Sequence, residues 1–71
     1  MKATMLVAHD WFTRPPDNQR VFARLPGEIE IVDGKEYIPV KPLQPTMMMP
    51  GFFIPSDTEV QLYRDHSIRL I

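Results

Sequence analysis

The chain contains no cysteine. Disulfide bonds and thiolate metal sites are therefore excluded, and the composition suits a reducing compartment without requiring one. With 71 residues, the chain is long enough for one small domain, so we expect residues 1–71 to form a single unit. A domain of this size buries only about 60% of the surface that its unfolded chain exposes. Its stability therefore depends on a small core of packed side chains.

Long apolar runs are also missing. The N-terminal stretch MKATMLVAHD has one lysine and then six mildly apolar residues before His9. A secretory signal needs roughly 7–15 apolar residues and a membrane span about 20. We therefore expect a soluble, cytoplasmic protein that does not enter a membrane.

Glycine is scarce, and the residues that usually carry catalysis are scattered. The three glycines never form a phosphate-binding pattern. The sequence places its two histidines, His9 and His66, 57 positions apart, which does not favour a shared metal site. Each has an aspartate beside it, but neighbours on a strand point to opposite faces and rarely form a relay. We predict that the protein is not an enzyme and binds no metal or cofactor.

Net charge is nearly absent, at −1 for the whole chain, but charge is unevenly distributed. The segment Trp11–Leu25 holds three arginines and one aspartate, a net charge of +2. The segment Glu28–Glu36 holds four acidic residues and one lysine, a net charge of −3. A near-neutral chain has no overall field that would hold nucleic acid or an anionic membrane, so any charge-guided binding has to be local.

Proline, by contrast, is abundant, with eight in the chain. A proline inside a helix costs about 3 kcal/mol, so a helical bundle is excluded. The remaining pattern is typical of short strands, such as Lys2–Val7 and the alternating segment Arg20–Leu25. We predict a mostly β domain of five or six short antiparallel strands, with a half-open SH3-like barrel as one arrangement.

The stretch GEIEIVDGKEYIPVK predicts a β-hairpin. Asp33-Gly34 is a two-residue turn between two β-rich runs, which is the strongest short-range hairpin signal. The resulting register pairs Val32 with Lys35, Ile31 with Glu36, Glu30 with Tyr37, and Ile29 with Ile38. We expect one face to be the core face, formed by Ile29, Ile31, Ile38 and Val40. Because Pro39 has no N–H to donate, the second strand is predicted near a sheet edge or with a bulge.

The C-terminal residues 56–71 fit two structures. Val60 and Leu62 alternate with polar residues, and so do Ile68 and Leu70, which favours a second hairpin that turns at residues 64–66. Ser56 followed by Glu59 is a capping box, which would instead start a helix and give an α+β fold. The hairpin is the preferred prediction.

Residues 39–55 form a connector rich in proline and methionine. Pro39, Pro42 and Pro45 recur every three residues, the period of a polyproline II helix, which indicates a rigid connector. Further along, Pro50-Gly51 suits the centre of a type II turn, where glycine supplies a positive φ.

The stretch TMMMPGFFIP, residues 46–55, contains more apolar side chains than a small core can bury. Methionine and aromatic residues are enriched at the centres of protein interfaces. We therefore predict a protein-binding surface formed by Met47, Met48, Met49, Phe52 and Phe53. The alternative is that the stretch folds back as a plug over the open end of a small barrel.

Arginines and aromatic residues alternate between positions 11 and 24, which favours a second kind of contact. Arginines neutralise phosphates and aromatic rings stack on bases, so a small β-barrel that binds single-stranded nucleic acid is the alternative function. The residues for this contact, or for contact with an acidic protein, are Trp11, Arg14, Arg20 and Arg24. Phe12 and Phe22 belong to the same pattern, although core packing explains the aromatic residues equally well.

In size and composition the chain resembles the small accessory inhibitors and regulators of phages and mobile elements. That resemblance implies a non-catalytic protein that docks on a larger protein or complex, or on a copy of itself, and modulates it. A subunit that is stable only inside an assembly is a third interpretation.

Overall fold

The proline-rich sequence folds into strands. The structure, a computed structural model, describes residues 1–46 and 48–63. Within them the chain forms one antiparallel sheet of six strands and no α-helix, which confirms the prediction of a small, mostly β domain. The sheet is not closed into a barrel. Over the same residues, no helix has the length and apolarity that a membrane crossing requires. The strands are β1 Trp11–Arg14, β2 Asp17–Arg24, β3 Glu30–Val32, β4 Lys35–Pro42, β5 Phe52–Pro55 and β6 Gln61–Leu62.

Strand β4 is the centre of the sheet. The order is β3-β4-β2-β1-β6, and β5 also pairs with β4. The prediction that Pro39 places this strand at an edge or a bulge is therefore wrong. The carbonyl of Pro39 accepts a hydrogen bond from the N–H of Leu25 at 3.0 Å. A strand residue directs its N–H and C=O to the same side, so the absent N–H would point to the gap between β2 and β3, where the ladder needs no donor.

The hairpin of β3 and β4 has the predicted turn. Asp33 and Gly34 both have positive φ, 52° and 76°, as a type I′ turn requires. The register confirms three predicted pairs: Val32 with Lys35, Ile31 with Glu36, and Glu30 with Tyr37. The fourth pair, Ile29 with Ile38, lies beyond the start of β3 at Glu30.

The predicted core face of this hairpin is only half correct. Ile38 and Val40 are buried, at 1% and 0% exposure, whereas Ile29 and Ile31 are 43% and 67% exposed. The predicted alternation itself is confirmed. Ile31 pairs with Glu36, two residues before Ile38, so Ile31 and Ile38 share one face of the sheet. The core simply does not extend as far as β3.

The N-terminal segment covers the buried part of the sheet. It forms a 3₁₀ turn, Ala3–Met5, so the predicted strand Lys2–Val7 is wrong. The N–H groups of Ala3 and Thr4 donate to the carbonyls of Thr58 and Ser56 at 2.8 and 2.9 Å. These bonds hold the turn against residues 56–60, and the main core cluster forms beneath: Ala3, Leu6, Phe12, Phe22, Ile38, Val40, Ile54 and Val60.

The opposite face of the sheet carries a smaller cluster. Val21, Ala23 and Leu43 are buried there, with Trp11 and Tyr63 packed against them. Strand β2 therefore buries side chains on both faces at its centre, which is why Val21, Phe22 and Ala23 are consecutive buried residues.

Residues 56–63 do not form the helix that the capping box would start. The N–H of Ser56 donates to the carbonyl of Glu36 at 2.9 Å, and the amino group of Met1 donates to Oε2 of Glu59 at 2.5 Å. Strand β6 follows and pairs with β1, so the first arm of the preferred hairpin is a strand. The predicted turn at residues 64–66 and the second arm, with Ile68 and Leu70, lie outside the described residues.

Candidate functional site

An open cleft of about 480 Å³ lies on the face of the sheet that carries the main core. We call it the arginine cleft. It brings together two groups that are far apart in the sequence, one from positions 14–22 and one from positions 42–52. Its lining includes Arg14, Arg20, Phe22, Pro42, Met49 and Phe52.

Strand register places the floor and wall of the arginine cleft. Phe22 on β2 pairs with Pro42 on β4, and Phe52 on β5 pairs with Val40, two residues before Pro42. Paired and alternate residues share one face, so all of these side chains lie on the same side. The rings of Phe22 and Phe52 meet edge to face, with centroids 6.0 Å apart and planes at 85°. Phe22 is buried, whereas Phe52 is 37% exposed.

Arg14 lies over these two rings. Its guanidinium carbon is 4.5 Å from the ring centroid of Phe22 and 5.8 Å from that of Phe52. The pairing of β1 with β2 shifts register between Phe12 and Arg14, and such irregularities re-aim a side chain. A cation over an aromatic face is stabilised by about 0.5–2 kcal/mol, so the rings hold Arg14 in place without using its N–H groups.

Arg20 lies at the mouth of the arginine cleft. Its Nε is 3.9 Å from Oδ2 of Asp17, and the two side chains are 76% and 48% exposed. An exposed pair at this distance contributes little to stability. Arg20 is therefore available to a ligand in the cleft.

Gly51 allows the close packing of β5 on β4. A Cβ atom at this position would lie 2.8 Å from Cδ1 of Leu25 and 3.0 Å from the carbonyl oxygen of Val40. The glycines with positive φ are Gly27 and Gly34. Gly51 therefore lacks the positive φ that a type II turn requires, and the predicted turn at Pro50-Gly51 is wrong. Glycine is needed here because the backbones approach closely.

The predicted protein-binding residues divide between different surfaces. Met49 and Phe52 line the arginine cleft. Met48 is 89% exposed, and Phe53 is 49% exposed on the opposite face of the sheet. Ile54 alone of this stretch enters the core, and Met47 lies outside the described residues. The alternative of a plug over a barrel end does not fit an unclosed sheet with Met48, Phe52 and Phe53 exposed.

The predicted nucleic-acid residues are also divided. Arg14 and Arg20 line the arginine cleft. Trp11 packs on the other face, with its ring centroid 6.4 Å from that of Tyr63. Arg24 donates from Nη1 to the carbonyl of Leu25, and its Nε is buried without an acceptor in the described part of the chain. The four residues therefore do not form one surface.

A second cleft, of about 370 Å³, opens on the face opposite the arginine cleft. We call it the acidic cleft. It is lined by Glu30, Val32, Tyr37 and Phe53. Glu30 pairs with Tyr37 across the hairpin, and Phe53 follows on β5 beside Pro39. Sequence reasoning missed Tyr37 as a site residue, although the predicted register already placed it opposite Glu30.

The proline pattern also has a different role from the predicted one. Pro39 and Pro42 both lie within β4, and an odd separation on a strand sends their side chains to opposite faces. The polyproline II interpretation of these residues is therefore wrong. Pro42 and Pro45 instead line the arginine cleft. The spacing of three residues between the prolines did not indicate this role.

Comparison with protein-family models, with curated proteins and with solved structures found no match to this chain.

Proposed function

We propose that this domain is a non-catalytic protein-binding module that docks on a larger protein through the arginine cleft and modulates it. The observation that carries the proposal is Arg14, held over Phe22 and Phe52 in an open cleft. Docking of a small protein on a larger one is also what the resemblance to phage accessory regulators in size and composition implies.

Arg14 is arranged to receive an anionic group. Stacking uses the flat face of a guanidinium and leaves its in-plane donors free, and those donors match the geometry of a carboxylate. Within the described residues, the guanidinium of Arg14 makes no hydrogen bond or ion pair. A bidentate carboxylate from a ligand would fill that position.

The remaining walls of the arginine cleft suit an apolar side chain. Pro42, Met49 and Phe52 present carbon and sulfur atoms around the two arginines. Arginine, methionine and aromatic residues are the types enriched at interface centres and among the residues that dominate binding energy. The ligand that fits best is a short protein segment with an acidic side chain next to an aromatic or aliphatic one.

Single-stranded nucleic acid is the second candidate ligand of the same cleft. Phe52 is partly exposed in the cleft that Arg14 and Arg20 also line, and an exposed ring near cations is a platform for stacking a base. Two arginines neutralise about two phosphates, at a salt slope of about −0.7 for each on a single strand. Such an interaction would be weak at physiological salt.

A pull-down from lysate of the native host tests the proposal and separates the two ligands. The bait is the full chain, with Arg14→Gln and Phe52→Ser as cleft variants and Phe53→Ser as the matched control on the opposite face. We expect a protein partner that is captured by wild type and by Phe53→Ser, lost with both cleft variants, and unaffected by nuclease. Thermal melting of every variant shows that loss of capture is not loss of fold.

Two outcomes contradict the proposal. Capture that survives in Arg14→Gln and Phe52→Ser places the binding surface elsewhere. Capture that disappears after nuclease treatment, together with micromolar binding of oligothymidine at 150 mM salt, replaces the protein ligand with nucleic acid.

A further inference from the structure

Among residues 1–46 and 48–63, no strand pairs with the outer edge of β3, so that edge can accept another strand. In a two-residue hairpin the residues that flank the turn form a hydrogen-bonded pair, and bonded and non-bonded pairs then alternate. Val32 and Glu30 therefore bond to β4, while the N–H and C=O of Ile31 point away from it. The bond from Ser56 N–H to the carbonyl of Glu36 at 2.9 Å agrees, because it shows the backbone of Glu36, the partner of Ile31, directed towards β5.

The acidic cleft lies directly beside this free edge. Glu30 and Val32 project from β3 to the cleft face, and Tyr37 lies next to them on β4. Val32 and Phe53 are 53% and 49% exposed. An added strand would direct every second side chain to this face, where it would lie against Glu30 and Val32.

Charge identifies the occupant of this edge. Glu28, Glu30, Asp33 and Glu36 lie in and around the hairpin with Lys35 among them, a net charge of −3. Lys35 pairs with Val32 and shares the cleft face, so the carboxylate of Glu30 is the anionic group at the other end of the cleft. In the described part of the chain, none of these four carboxylates has a cationic partner within 4.0 Å. A second copy paired at the same edge would bring a second set of carboxylates alongside the first, and like charges on adjacent strands are destabilising. A basic segment is complementary instead.

We infer that β3 and the acidic cleft bind an extended basic segment of a protein. The segment adds as a strand beside Ile31 and lays an arginine or lysine side chain beside Glu30, at the end of the cleft away from Lys35. Its cationic group meets the carboxylate of Glu30 and the ring of Tyr37. The added backbone pairing provides affinity, and the cleft selects for the cation. This surface is separate from the arginine cleft and takes a ligand of opposite charge.

Two synthetic peptides test the inference. One is a blocked seven-residue peptide in which arginine alternates with valine, and the other has glutamate in place of arginine. We expect the arginine peptide to bind the wild-type chain and to bind about tenfold more weakly to Phe53→Ala and Glu30→Gln. Phe52→Ala is the matched control, because Phe52 is the neighbouring residue on the opposite face, and its affinity for the arginine peptide should not change. Glu30 is exposed, so Glu30→Gln remains informative if Phe53→Ala lowers stability.

Hydrogen exchange shows whether the peptide adds as a strand. We expect exchange of the Ile31 amide to slow at least tenfold when the arginine peptide is bound, because its N–H then has an acceptor. Binding with no change at Ile31, or equal affinity in wild type, Phe53→Ala and Glu30→Gln, overturns the inference. Protection of Ile31 that rises with protein concentration in the absence of peptide makes a second copy the occupant and also overturns it. A failure here leaves capture by the arginine cleft unaffected, since that depends on Phe52 and Arg14.

Discussion

The two arms of the hairpin, β3 and β4, have the same alternating pattern but opposite burial. Ile38 and Val40 are almost fully buried, whereas Ile31 and Val32, on the preceding arm, are more than half exposed. The difference lies in what covers them. Ala3, Leu6 and Val60 pack over the centre, while β3 lies at the end of the sheet. Alternation therefore identifies side chains that share a face, and the path of distant segments decides whether that face is buried.

The largest expected effect comes from breaking the covered side of this comparison. Ile38→Ala removes a buried side chain of the main core and should lower the free energy of unfolding by about 2–5 kcal/mol. Ile31→Ala, on the exposed arm, should change it by about 0.5 kcal/mol or less. Urea denaturation of both variants measures the contrast. Similar losses would show that β3 is covered in solution.

Two glycines extend the comparison to the backbone. Gly51→Ala forces a Cβ against Leu25 and the carbonyl oxygen of Val40, and overpacking of this kind costs about 1–3 kcal/mol. Gly34→Ala meets nothing within 4 Å but holds alanine at φ +76°, which costs about 1–2 kcal/mol. The two variants should respond differently to Leu25→Ala. That change removes one of the two close contacts at position 51, leaving the one with the carbonyl oxygen of Val40, and has no effect at position 34; double-mutant cycles measure the difference.

The smallest effect concerns the contact that ties the covering N-terminal segment down. The amino group of Met1, 2.5 Å from the Glu59 carboxylate, lowers the pKa of Glu59 below its usual value, with a smaller contribution from Lys2. A carboxylate with a lowered pKa contributes stability above its unfolded pKa, and that contribution disappears as pH falls through the folded value. Glu59→Gln or N-terminal acetylation should therefore make unfolding slightly less pH-dependent in acid. An unchanged pH profile in both would contradict the contact.

The local part of the fold was predictable from sequence, because turn chemistry and alternation act over a few residues. The turn at Asp33-Gly34, the pairing of Ile31 with Glu36 and the alternation of β2 all follow from such signals. The central position of β4 did not follow, because Pro39 is compatible with it only where β2 and β3 leave a gap. The 3₁₀ turn at Ala3–Met5 depends on bonds to Thr58 and Ser56, which no local pattern reveals.

The candidate sites were predictable as residue types but not as assemblies. Arg14 and Phe52 were both selected from the sequence, but for different surfaces, because 38 positions separate them. Phe52 and Phe53 were placed on one surface, although neighbours on a strand face opposite ways. Only the pairing of β5 with β4 shows that Phe52 joins the arginines and Phe53 joins Glu30 and Tyr37.

Pro55 limits how copies of this chain can pair through β5. The bond between Ser56 and Glu36 fixes the alternation along β5, so Phe53 and Pro55 direct their backbones outward. Pro55 has no N–H, which leaves Phe53 as the single outward donor of that strand, and an edge of this kind is a poor template for pairing. A fibril needs two competent edges on every copy, whereas this hairpin region offers one good edge, at β3. Edge pairing through this hairpin would therefore end at two molecules, so β3 and β5 together do not support an open-ended stack.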